Sequence, residues 1–149
     1  MNGKLTRSIF WALVGVFIVI ICLFSIPAFR DLLRGSLLFL SPILVFFLLG
    51  VALIFFTVKE KVGGMLKKFL ILTGASSAGF FISVLLHNAI YGLFIHFFGV
   101  DFWNGGDEPV FFIIAVFLCP IGFLVGVVGS IVLAIKNFRR AEKLPFSLQ

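Results

Sequence analysis

The residues with chemical potential crowd into one stretch, 87–108: His87, Asn88, Tyr91, His96, Asp101, Trp103, Asp107 and Glu108. Two imidazoles and three carboxylates with no basic residue in their own loop could hold a divalent cation, a cationic ligand or a basic patch on a partner. Their order matches no ligand spacing specific to one metal, so no metal is assigned. The two histidines lie nine residues apart, on opposite sides of any common helix, which disfavours bis-histidine haem within one chain. No cofactor is expected.

Ser83, His87 and Tyr91 recur every four residues and share a helix face, with Asn88 beside them. At the edge of a membrane such a face reads as an interfacial belt, with His and Asn satisfying each other or headgroups, or as a polar pocket between helices. Asp107, Glu108 and Pro109 form a helix start: a carboxylate suits the positive end of the helix dipole, and proline is tolerated in the first turn. Capping accounts for Asp107 and Glu108 but leaves Asp101 and Trp103 unexplained. For catalysis, neither G-x-S-x-G nor a P-loop occurs, and no Ser or Cys is paired with a base by local spacing. The reading therefore leans away from an enzyme and assigns no catalytic residue.

The elements that must position this stretch are set by hydropathy. With 62% hydrophobic and 12% charged residues among 149, the chain is far more apolar than a soluble domain, which is about 25% charged. Four stretches, residues 9–28, 37–58, 69–91 and 110–135, each reach the roughly 20 apolar residues needed to cross a bilayer. The ten-residue alternation of a β-barrel is not seen. The sequence thus predicts an all-α membrane protein: one domain over residues 1–149, a four-helix transmembrane bundle with an outer loop at 92–109.

Charge sets the orientation. Lys4 and Arg7 precede the first span, Lys59, Lys61, Lys67 and Lys68 follow the second, and Lys136, Arg139, Arg140 and Lys143 follow the fourth. Only Arg30 and Arg34 fall in the first connection. By the positive-inside rule both termini and the middle loop are cytoplasmic, N-in and C-in, where the basic clusters can meet anionic headgroups. The net charge of +6 is thereby used in topology, and nucleic acid is not expected as a partner. The first apolar run follows two cations as a signal peptide would, but it is too long for one and is read as a retained span. The expected location is the plasma membrane.

Helix packing has its own signals. Residues 74–79 are six small residues in succession, among them Gly74, Ala78 and Gly79, while Gly122, Gly126 and Ser130 recur every four residues on one face. These predict that the third and fourth helices meet, or that both faces meet another protomer. Pro42 and Pro120 predict kinks, since each removes a backbone donor. They sit in matching pentapeptides, residues 39–43 and 117–121, which record a duplicated hairpin or a coincidence. Cys22 and Cys119, one in each of two spans, read as small apolar fillers. The functional expectation is a non-catalytic accessory or interaction subunit, in a homo-oligomer or a larger membrane complex. The alternatives are an oligomeric small-solute channel or transporter, and an outer-interface enzyme or metal site centred on residues 87–108.

Overall fold

A computed structural model describes residues 3–27, 40–104 and 106–142, with side chains as far as Arg139. The regular structure in these residues is all helical: α1 (Lys4–Ser25), α2 (Leu40–Lys59), α3 (Gly64–Phe98) and α4, residues 109–142. In α4 a π-helical turn, Ile114–Leu118, joins Pro109–Ile113 to Cys119–Glu142. All four are long and apolar enough to cross a membrane. Each leaves large apolar side chains outside, such as Ile18, Leu48, Ile82 and Val128. A surface apolar on every helix suits acyl chains rather than water. The first connection with Arg30, Asp31 and Arg34, as well as Gly105 and Lys143, lies outside the described residues.

The helices alternate in direction, and the bundle end holding Lys4, Lys59 and Lys67 is called proximal here, the end holding His87 distal. α3 is the central element, packed against both α2 and α4, while α1 packs on α2. One phenylalanine from each helix meets near the middle. Phe46 of α2 lies 5.9 Å from Phe17, 6.4 Å from Phe80 and 5.2 Å from Phe123, measured between ring centroids. Phe17 and Phe123, at 4.4 Å, close the bundle between α1 and α4. Aromatic pairs at such spacings favour one arrangement over other apolar contacts.

Small residues set how closely the backbones approach. A methyl on Gly74 would stand 2.6 Å from the Gly50 carbonyl, and one on Gly50 would stand 2.8 Å from the Gly74 carbonyl. Gly74 therefore serves the α2–α3 contact, and the Ser77 hydroxyl seals that contact by donating to the Phe46 carbonyl at 2.6 Å. On the other side of α3, Gly122 faces Ser76 and Gly126 faces Thr73, while Gly79 lies against the Cys119 sulfur. Ala78 and Ser130 are buried. Within the chain α3 uses small residues on two sides, one for each neighbour.

The two prolines differ in setting. Pro42 stands in the first described turn of α2, at the boundary of the described residues. Pro120 stands two residues past the end of the π-helical turn, whose wider ring lets the helix continue past a residue that cannot donate and that crowds the preceding carbonyl.

The proximal end is tied by a residue absent from the sequence-based candidates. The residue at the cap position before α1 is Gly3, which has no side chain to cap it, and the cap comes instead from Glu60, just beyond α2. The Thr6 amide and hydroxyl both donate to Glu60 Oε2. Chiefly the Thr6 hydroxyl, against the opposing effect of burial and with help from backbone amides and Lys59, holds the Glu60 carboxyl below its ordinary range. The turn that presents it is a Schellman-type ending, with Val62 donating to the Thr57 carbonyl, Lys61 donating to that of Val58, and Lys61 left-handed at φ 50°.

Candidate functional site

The third helix is longer than the apolar span that hydropathy marks. It runs without interruption through Gly92 to Phe98, so the first seven residues of the expected 92–109 loop are helical. A glycine inside a helix costs about 1 kcal/mol relative to alanine, and aromatic packing offsets it here. Tyr91, Phe94 and Phe98 lie along one side of this last part. The chain turns at Gly99, φ +89°, into a 3₁₀ segment, Val100–Trp103, that folds back on the helix. Trp103 stacks on Tyr91 at 6.0 Å and meets Phe94 at 5.6 Å. Phe102 contacts Phe94 at 4.9 Å and Phe98 at 5.1 Å. The indole N–H of Trp103 reaches the Tyr91 carbonyl at 3.4 Å, and left-handed Asn104 ends the segment.

Below this aromatic knob α4 begins with Glu108 as its cap. Its carboxylate accepts from the amides of Val110 at 2.8 Å and Phe111 at 2.9 Å, with Pro109 in the first turn. The Glu108 amide in turn donates to Asp107 Oδ1 at 2.9 Å. His87 joins α3 to this cap. Its Nδ1 lies 3.1 Å from the Glu108 carbonyl oxygen and 3.4 Å from Glu108 Oε2, while Nε2 lies 3.4 Å from Asp107 Oδ1. A carbonyl can only accept, so the shortest of these contacts places a proton on Nδ1. Phe112 and Tyr91 flank the imidazole at 5.8 and 6.5 Å.

Glu108 is 4% exposed, whereas Asp107 lies open to its surroundings. Burial pushes the Glu108 carboxyl up, but the Val110 and Phe111 amides, the His87 ring and the Phe112 amide outweigh it and hold the carboxyl below its ordinary range. A carboxyl lowered on folding stabilises the folded form fully above the ordinary carboxylate range, and that contribution fades as pH falls through the lowered value. Protection of the amides over residues 108–113, taken relative to the intrinsic exchange rate at each pH, is therefore expected to fall on acidification. In Glu108→Gln exchange is expected to be faster at neutral pH and to lose that acid step, while Asp107→Asn, altering an exposed side chain, changes it far less. Hydrogen–deuterium exchange read by mass spectrometry checks both.

The structure thus brings together His87, Tyr91, Trp103, Asp107 and Glu108. The other three candidates stand apart: Asn88 is exposed and donates to the Val84 carbonyl one turn back at 2.7 Å, His96 is exposed with its ring edge-on to Phe97, and Asp101 is exposed. His87 pairs with the α4 cap and not with Asn88. Ser83 is buried one turn below His87. Among the described residues no group of three His, Cys, Asp or Glu side chains is placed to hold a metal ion. The arrangement is a clasp, with an imidazole of one helix held between the carboxylates that start the next. Phe94, Phe98 and Phe102, which complete the knob, were missed by a reading centred on polar groups. The spacing of Tyr91, Phe94 and Phe98 at i, i+3 and i+7 is the signal that marks them. Compared with protein-family models, curated proteins and solved structures, the chain has no match.

Proposed function

We propose that this chain is a non-catalytic interaction subunit of a membrane complex, with both termini cytoplasmic and the aromatic knob presented outside the plasma membrane. One observation carries the reading. α4 starts level with His87, yet α3 continues past Tyr91 for about 10 Å, at about 1.5 Å per residue, and leaves Leu93, Phe97, Phe98 and Val100 largely exposed. Apolar side chains clustered beyond the end of a neighbouring span suit a partner surface, where aromatic anchors contribute most of the binding energy. The clasp supports a structural role for His87, because both of its ring nitrogens face acceptors within the chain. Small residues at the α2–α3 and α3–α4 contacts are occupied internally, which moves the partner contact to the knob. The proximal lysines then face the anionic headgroups of the inner leaflet.

The test places a photo-crosslinking amino acid at Phe97 or Phe98 in the full chain in its native membrane. The expected result is one discrete protein adduct, either a second copy or another subunit. It should be absent when the crosslinker replaces lipid-facing Leu48 instead. Adducts with lipid alone would overturn the reading.

A further inference from the structure

A crevice of about 290 Å³ opens between α1 and α4 in the distal half of the bundle. Its floor is made by buried Ile20, Phe46 and Cys119, and its rim by Ile21, Phe24 and Val116, each about half exposed. On the proximal side the Phe17–Phe123 contact shuts the same seam. The wall on α4 is formed where the π-helical turn and Pro120 interrupt the regular helix, the kind of irregularity that recurs at binding sites.

We infer that this crevice holds one acyl chain of a phospholipid from the distal leaflet. The inference rests on the membrane-spanning part of the proposed function and not on the knob. Depth agrees with it. Phe24 is next to the distal end of α1, and Val116 lies seven residues, about 10 Å, below the start of α4. Within hydrocarbon about 30 Å thick the crevice therefore runs from near the distal boundary toward the midplane, parallel to the acyl chains. Size decides between occupants. A helix about 10 Å across cannot reach a floor at Phe46 through an opening of this volume. A cavity of about 150 Å³ takes a benzene ring, so this one takes on the order of a dozen carbons of a single chain. The lining is almost wholly apolar and calls for no polar ligand. In a bilayer the drive is not expulsion of water but dispersion contact, which an unfilled crevice forfeits along its whole lining.

The experiment uses the full chain in liposomes of phosphatidylcholine doped with an analogue bearing a diazirine halfway along one acyl chain. After illumination, adducts are mapped by tandem mass spectrometry. Labelling at Ile20, Cys119 and Val116 is expected to exceed, severalfold, that at Phe117 and Leu118, which are more exposed and lie at the same depth outside the crevice. Val116→Trp, a change at the exposed rim where a larger ring can plug the mouth without entering the core, is expected to remove the excess. Even labelling over all lipid-facing residues, or an excess unchanged in Val116→Trp, would overturn the crevice while leaving the spanning reading intact. A chain that takes no label anywhere would overturn both.

Discussion

Phe46→Ala is expected to cost about 2 kcal/mol or more of bundle stability, measured by thermal unfolding or by steric trapping in bicelles. Phe46 is 4% exposed and touches aromatic rings from all three other helices, so its removal opens a cavity at the point where the four helices meet. In a soluble protein a buried Phe→Ala change costs about 3–5 kcal/mol, part of it from transfer of the ring out of water. In a bilayer the unpacked ring would meet acyl chains, so the packing part would dominate and sets the lower figure. Phe55→Ala, which removes a ring about 58% exposed on the same helix, is expected to be nearly neutral. Equal losses at the two positions would show that Phe46 is not the junction described.

Alanine at Gly74 is the second large effect, expected to cost about 1–3 kcal/mol through overpacking. The atom it would strike is the Gly50 backbone carbonyl at 2.6 Å, which cannot rotate away as a side chain could, so α2 and α3 must separate. Gly50→Ala meets the reciprocal obstacle at 2.8 Å. Because one separation of the helices relieves both clashes, the double variant is expected to lose clearly less than the sum of the two single losses. Gly15→Ala, inside α1 with nothing within 4 Å of the added methyl, serves as the control and is expected to cost nothing and to raise stability by up to about 1 kcal/mol. Strict additivity of Gly50→Ala and Gly74→Ala would mean that the two glycines do not share a contact.

The four long apolar helices were legible because hydropathy over some 20 residues is a local property, and a helix satisfies its backbone internally whatever its neighbours do. The end of α3 was not legible in that way. Hydropathy measures what lipid tolerates, whereas the continuation from Gly92 to Phe98 depends on Trp103 and Phe102 folding back to stack on it. The small residues announced close packing, but six in succession present themselves on every side of a helix. Their division between Gly50 on one side and Thr73–Gly126 on the other follows from the relative rotation of three helices.

The same division runs through the clasp. Asp107-Glu108-Pro109 contains a helix start within three adjacent residues, so the capping role can be read from the chain alone. The meeting of His87 with that cap joins residues 21 apart and requires α3 and α4 to lie in one register. Glu60, in a loop that reads as a simple turn, reaches across 54 residues to cap α1. By itself the sequence determined four apolar helices, their small-residue faces and the start of α4, because each follows from composition or spacing within one segment. The tertiary structure decided which helix each small residue serves, which polar groups meet and how far α3 runs, because those depend on the rotation and register of helices whose sequences are apolar nearly all round.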